Sequence, residues 1–63
     1  MILEQRNFDN FILRLIKFKN FIALDYFNYS TGLFLKTFEH EQLEQAKELI
    51  NTITREQVAE LLK

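Results

Sequence analysis

The hydrophobic pattern of Phe11–Phe27 fits either one helix or two strands. At about 100° per residue the polar side chains of this segment fall mostly on one narrow stripe, as in an amphipathic helix. Two residues conflict with that arrangement, because Lys19 would project from the apolar face and Phe21 would lie within the polar stripe. A single amphipathic helix therefore stays open as an alternative.

A two-residue hairpin loop at Lys19-Asn20 removes both conflicts. Asparagine tolerates the positive φ values that such loops require, and lysine is well placed in an exposed turn. The loop would pair Phe18 with Phe21, Ile16 with Ala23, and Arg14 with Asp25. The last pair brings opposite charges together across the strands, which contributes roughly 0.2–1 kcal/mol.

A second turn is predicted at Asn28–Gly32. Asparagine at its start can bond its own backbone, and the chain's only glycine would supply the residue with φ > 0 that closes the loop. The alternative is that Gly32 ends a long helix. The aromatic neighbours are residues typical of strands and favour a hairpin. Near the start of the chain, Ile2 and Leu3 open either a strand or a short helix, and Asn7–Asn10 has the composition of a turn.

The segment Thr37–Thr52 is predicted to be a helix, with Thr37 or Glu39 as its N-cap. Its apolar residues recur at helical spacing. They are Leu43, Ala46, Leu49, Ile50 and Ile53. Thr54 and Gln57 then match a capping box, which predicts a short second helix to Leu62 that buries Val58 and Leu61, with the burial of Leu62 left open.

These elements predict an α+β fold, an antiparallel β-meander followed by a C-terminal helix and a short final helix, in one small domain over residues 1–63. The alternative is all-α, a helical hairpin that dimerises into a four-helix bundle. A chain of 63 residues without cysteine buries only a marginal core. We therefore expect a homodimer.

Charge and hydropathy bear on the location of the protein and on its partners. Residues 1–38 carry a net charge of +2 and residues 39–63 a net charge of −3, so the aromatic half is mildly basic. The longest uninterrupted apolar run, Phe21–Leu24, is too short to cross a membrane. The first residues lack the pattern of a signal peptide. We expect a cytoplasmic protein with no membrane partner.

Paired through the two loops, the strands would form a sheet with unlike faces. A leucine-rich face suits the predicted helix, and a phenylalanine-rich face, on which Phe38 is also placed, is left for a partner. The residues predicted to bind the partner are Arg14, Phe18, Phe21, Phe27, Phe34 and Lys36, with Lys17 and Lys19 as basic contacts. The partner could be a second copy, a single-stranded nucleic acid whose bases stack on the rings, or a foreign protein.

The order of features resembles a known family. The matching segments are Lys17–Asn20, Phe21–Phe27, Asn28–Gly32, and Glu41-Gln42-Leu43 opening a helix. This order is similar to that of the positive cofactor four family of transcriptional coactivators, and of the Whirly and Pur-type domains near it. The resemblance covers roughly residues 11–62 and implies four strands and a helix, dimerisation, and single-stranded nucleic acid bound on the sheet. Leu33–Thr37 stand where those proteins carry a basic, glycine-containing segment.

Catalytic and metal-binding patterns are sparse. His40 and Glu44 are four residues apart, but two ligands are too few for a closed metal site. Ser30 has no neighbouring base, and one glycine cannot form a phosphate-binding loop. We expect no enzyme, no catalytic residues, no cofactor and no metal. The expected function is a small dimeric binding module for single-stranded nucleic acid; the alternative is a small regulator or inhibitor that docks the same face onto another protein.

Overall fold

A computed structural model shows a four-stranded antiparallel sheet followed by two α-helices, and it describes residues 1–29 and 31–63. The strands, in spatial as well as chain order, are β1 (Ile2–Asn7), β2 (Ile12–Lys17), β3 (Ile22–Asn28) and β4 (Thr31–Phe38). A 3-10 turn over His40–Gln42 leads into α1 (Leu43–Thr52), and α2 (Arg55–Leu62) follows. The predicted α+β meander is confirmed, and the all-α alternative is wrong. No helix within the described residues has the length and apolar character needed to cross a membrane.

The β2–β3 hairpin has the predicted register. Ile16 lies opposite Ala23 and Arg14 lies opposite Asp25. At the loop, the Phe18 N–H donates to the Phe21 carbonyl at 2.8 Å. Lys19-Asn20 is therefore the two-residue connection that the sequence predicts.

The first ten residues resolve into a strand and a turn. Ile2 and Leu3 belong to β1, which pairs antiparallel with β2. The Phe8 N–H donates to the Phe11 carbonyl at 2.8 Å and closes the turn that the polar cluster at Asn7–Asn10 predicts. The Phe8 and Phe11 rings stack across this turn at a centroid distance of 4.5 Å.

The β3–β4 connection is shorter than predicted. Asn28 pairs with Thr31, so Gly32 already lies within β4, opposite Phe27. No described glycine has a positive φ, and the left-handed residue is Tyr29, with φ 57°. The prediction that Gly32 closes the loop with φ > 0 is wrong, because the strands pair almost up to the turn and leave the glycine in extended backbone. Ser30, which the sequence places in the turn, lies outside the described residues.

A β-bulge at Leu35 changes which side chains of β4 meet the helices. Leu24 pairs with Lys36 but Asp25 pairs with Phe34, so Leu35 has no partner. One extra residue reverses the alternation of side chains beyond it. Phe38 consequently joins the core at 7% exposure, and Lys36 shares the side of the core residue Leu24. The prediction that Phe38 and Lys36 lie on the phenylalanine-rich face is wrong.

The helical segment begins after Glu39, the second of the two predicted N-caps, and the predicted start at Thr37 is wrong. Thr37 and Phe38 are the last residues of β4, and Glu39 precedes the 3-10 turn. The Glu39 N–H donates to Gln42 Oε1 at 2.9 Å, which satisfies a donor at the start of the turn. Thr54 and Gln57 form the predicted capping box, with reciprocal bonds of 3.2 and 2.8 Å.

The core lies between the sheet and the helices. Its buried residues are Phe11, Leu13, Leu15, Ile22, Leu24, Phe38, Ala46, Ile50, Ile53 and Val58. The predicted apolar arc of α1 is confirmed, with Leu43 and Leu49 packed at its margin. In α2 the predicted burial of Val58 is confirmed, whereas Leu61 is 40% exposed and its predicted burial is wrong.

Arg6 links the sheet to α1 by hydrogen bonds. Its Nη1 donates to the carbonyl oxygens of Ile50 at 2.9 Å and Ile53 at 2.8 Å, at the C-terminal end of α1. Carbonyls at a helix C-terminus lack partners within the helix and attract a cation. The arginine of the first strand therefore holds the helix on one side of the sheet.

Candidate binding face

The side of the sheet opposite the helices, the open face, is covered by no other part of the described chain. Strand pairing and ring contacts place on it Ile2, Gln5, Asn7, Ile12, Arg14, Ile16, Phe18, Phe21, Ala23, Asp25, Phe27, Gly32, Phe34 and Thr37. Four of the predicted partner-binding residues are phenylalanines, and all four are among them. The prediction that these four phenylalanines share one face of the sheet is therefore confirmed.

Three of these rings form one group, the Phe cluster of Phe18, Phe21 and Phe34. The centroid of Phe18 lies 5.0 Å from that of Phe21 and 5.6 Å from that of Phe34, and Phe21 and Phe34 are 6.1 Å apart. Phe18 is 37% exposed and Phe34 is 46% exposed. The rings support one another while leaving surface available to a ligand.

Arg14 and Phe27 lie farther along the open face. The Arg14 guanidinium carbon is 4.9 Å from the centroid of the Phe27 ring. Its Nε and Nη2 donate to Asp25 Oδ2 at 2.9 and 2.7 Å. Asp25 is buried, and a buried carboxylate is stable only when it is paired and hydrogen-bonded. The two charges cancel, so the middle of the open face is close to neutral.

The predicted basic contacts are not all brought together. Lys36 lies on the helix side, where it lines a groove with Leu49, Ile53, Gln57, Glu60 and Leu61. Its Nζ is 5.4 Å from the Phe38 ring centroid. Lys17 pairs with Ile22, which places its exposed side chain at the rim on the helix side. Lys19 is exposed in the β2–β3 turn beside Phe18.

A groove at the other end of the open face was not predicted. It has a volume of about 590 Å³ and is lined by Gln5, Asn7, Phe8, Asp9, Asn10, Phe11, Ile12, Phe27, Asn28 and Tyr29. We call it the amide groove, because four of these side chains are amides, each able to donate and accept hydrogen bonds. A meander brings its first and third turns to the same end of the sheet. The asparagines read from the sequence as turn residues could have predicted the groove.

The remaining polar candidates do not form a reactive group. His40 Nε2 lies 3.0 Å from the Phe18 carbonyl oxygen, at the margin of the Phe cluster. Across residues 1–29 and 31–63, no three His, Cys, Asp or Glu side chains are grouped so that they could hold a metal ion. The open face therefore offers rings, amides, the Arg14–Asp25 ion pair and the exposed Asp9 of the amide groove.

Comparison with protein-family models, with curated proteins and with solved structures finds no match to this chain. The side chains of the open face are therefore the basis on which a function can be inferred.

Proposed function

We propose that this protein is a small non-enzymatic module that binds single-stranded nucleic acid on the open face. The observation that carries the proposal is the exposure of Phe18 and Phe34 on the same face as the amide groove. Unpaired bases stack on aromatic rings, and amide side chains can hydrogen-bond their edges. The resemblance to the positive cofactor four family points to the same ligand.

The distribution of charge supports an anionic ligand on this side of the molecule. Six of the nine acidic residues belong to residues 39–63, in the segment that packs on the opposite side of the sheet. Among the described residues on this side, Asp25 is neutralised by Arg14, and the exposed Asp9 of the amide groove has Arg55 Nη2 3.6 Å from its carboxylate. Each carboxylate therefore has a cation beside it, which reduces its repulsion of a nucleic acid strand.

Magnitudes indicate that stacking outweighs phosphate contacts. Stacking of a base on a ring contributes about 1–3 kcal/mol, and two rings of the Phe cluster are substantially exposed. Of the predicted basic contacts, Lys17 and Lys19 stay available at the rim, since Arg14 is paired and Lys36 faces the helices. Two phosphate contacts correspond to a slope of about −1.4 for log affinity against log salt. Binding should be weakly salt-dependent.

Fluorescence anisotropy of a labelled oligothymidylate, titrated between about 50 and about 200 mM salt, tests the proposal. We expect a shallow salt dependence and little binding of the matching duplex, whose bases are already stacked. Phe18→Ala should weaken binding about 5- to 150-fold, the equivalent of one lost stacking contact. The matched control is Leu62→Ala, which truncates a similarly exposed apolar side chain on α2 and should bind as the unmodified protein does.

Two results would contradict the proposal. The first is no anisotropy change at low salt, where phosphate contacts are strongest. The second is a steep salt dependence together with unchanged binding by Phe18→Ala. Either result would mean that the Phe cluster does not bind nucleic acid.

A second candidate function follows from the neutrality of the open face. Apolar side chains surround an internally compensated ion pair, and monomers rarely leave such patches uncovered. A regulator or inhibitor docking this face onto another protein would use the same rings. Absence of oligonucleotide binding at low salt would favour this candidate.

A further inference from the structure

The two edge strands of the sheet differ in how they are protected. β4 forms one edge, and residues Thr31–Leu35 carry no charged side chain. Thr31, Gly32, Leu33 and Phe34 are all exposed. In an antiparallel sheet an edge strand directs alternate N–H and C=O groups away from its neighbour. The first part of β4 is therefore open to pairing with another strand.

The β1 edge carries the features that discourage such pairing. Its register shifts between Ile2 and Glu4, and such an irregularity disrupts the regular edge. Glu4 and Arg6 put charges on this strand, and both are bonded to α1 residues: Asn51 Nδ2 lies 3.3 Å from the Glu4 carboxylate oxygens. Because the β1 edge is protected and the β4 edge is not, we infer that the β4 edge pairs with another strand.

Apolar side chains stand on both sides of the β4 edge. Phe34, opposite Asp25, lies on the open face, and Leu33, opposite Tyr26, lies on the helix side; each is 46% exposed. Leu61, 40% exposed, belongs to α2, which lies against β4. A strand added here would form backbone hydrogen bonds and bury apolar surface above and below the sheet.

We propose that a second copy of this chain pairs its β4 antiparallel with this β4, with Leu33 opposite the partner's Leu33. Thr31–Leu35 is the uncharged stretch that runs from the start of β4 to the unpaired Leu35 of the bulge, and Leu33 is its midpoint. Pairing the stretch with itself about a two-fold axis brings no like charges together. It also sets Phe34 opposite the partner's Gly32, where the absence of a side chain leaves room for the ring. A second copy is the occupant because this small, cysteine-free chain has only a marginal core of its own.

The proposed dimer would join the two four-stranded sheets into one. The two open faces would then be continuous, with a Phe cluster on each side of the two-fold axis. The inference rests on β4 and not on the ligand of the open face. It would nonetheless give a nucleic acid strand two stacking surfaces instead of one.

Single-cysteine crosslinking tests this register, because the chain has no cysteine of its own. Leu33→Cys should form an intermolecular disulfide under mild oxidation, since directly opposed residues have Cα atoms about 4.5–5.5 Å apart, within disulfide range. Glu48→Cys, on the exposed surface of α1, is the matched control and should crosslink at least ten-fold more slowly. Sedimentation of the unmodified chain should give the dimer mass, and Leu33→Lys should give the monomer mass with an unchanged circular dichroism spectrum.

Three results would overturn the inference. The unmodified chain could sediment as a monomer at about 100 μM, Leu33→Lys could remain a dimer, or Leu33→Cys could crosslink no faster than Glu48→Cys. None of these results bears on the open-face proposal, because Leu33 lies on the helix side and its replacement leaves Phe18 in place. Conversely, a chain that dimerises through β4 and ignores the oligonucleotide would refute only the proposed function.

Discussion

Arg14 and Asp25 face each other across β2 and β3, and two nitrogens of the arginine donate to a single carboxylate oxygen. Asp25 is only 4% exposed although no other part of the described chain covers this side of the sheet. Neighbouring side chains, with Phe27 beneath the guanidinium, bury it. A one-residue slip of the hairpin would separate the two charges, so the pair favours the observed register.

Asp25→Ala is expected to lower the free energy of unfolding by about 2–3 kcal/mol, measured by urea denaturation. Removing one member of a buried pair costs about 3–5 kcal/mol, and the Arg14 side chain, 29% exposed, recovers part of that from water. Replacing both residues with leucine is the informative control. Because it leaves no unpaired charge, the double variant should be close to the unmodified protein in stability. A single-variant loss below about 0.5 kcal/mol, within the range of ordinary surface substitutions, would contradict this account.

The bulge at Leu35 predicts opposite consequences for two phenylalanines of β4. Phe38→Ala should cost about 3–5 kcal/mol, because Phe38 lies in the core at 7% exposure. Phe34→Ala, at 46% exposure on the open face, should cost about 1 kcal/mol or less in the free energy of unfolding of the monomer. Thermal or urea unfolding measures both. Equal losses would mean that the alternation of β4 continues without a bulge.

The sequence predicted the fold correctly where residues that did not fit a helix fitted only one alternative structure. Lys19 and Phe21 were misplaced on any helix and correctly placed by a two-residue loop, so the β2–β3 register could be predicted residue by residue. The bulge could not be, because Leu33–Phe38 alternates equally well in either register until the pairing with β3 is known. Lys36 was assigned to the wrong side for that reason. The aromatic part of the open face was predictable from strand parity, whereas the amide groove requires knowing that two separate turns meet.

Gly32 and Tyr29 allow a test of the β3–β4 turn. Gly32→Ala should raise the free energy of unfolding of the monomer by about 0.4–1 kcal/mol, because a glycine in extended backbone loses more chain entropy on folding than alanine does. The added Cβ would meet Asp25 Oδ1 and Phe27 Cδ1 at 3.7 Å, which is ordinary contact. For a domain of this size 1 kcal/mol moves Tm by about 4–8 °C, so thermal unfolding resolves the change. Gly32→Ala is compared with Tyr29→Gly, which removes the steric strain of a tyrosine side chain at a positive φ of 57°. A loss of stability for the Gly32→Ala monomer, in which no partner ring lies over position 32, would show that position 32 needs left-handed backbone.

Arg6 provides the last prediction, which concerns why the helices stay on one side of the sheet. Arg6→Met keeps most of the aliphatic stem but removes the donors to the Ile50 and Ile53 carbonyls. We expect a loss of about 1.5–3 kcal/mol in the free energy of unfolding, the range for hydrogen bonds to a charged group. Arg55→Met is the matched control, since Arg55 makes only exposed polar contacts, to Asn10 Oδ1 at 3.1 Å and to a fully exposed Asp9 carboxylate at 3.6 Å, and such surface pairs contribute about 0–1 kcal/mol. Raising the salt should diminish the small effect at Arg55 and leave most of the effect at Arg6, which is bonded to a partly buried helix end. Equal losses at the two arginines would mean that Arg6 acts only as surface charge, and that the packing of α1 on β1, β2 and β3 alone keeps the opposite face open.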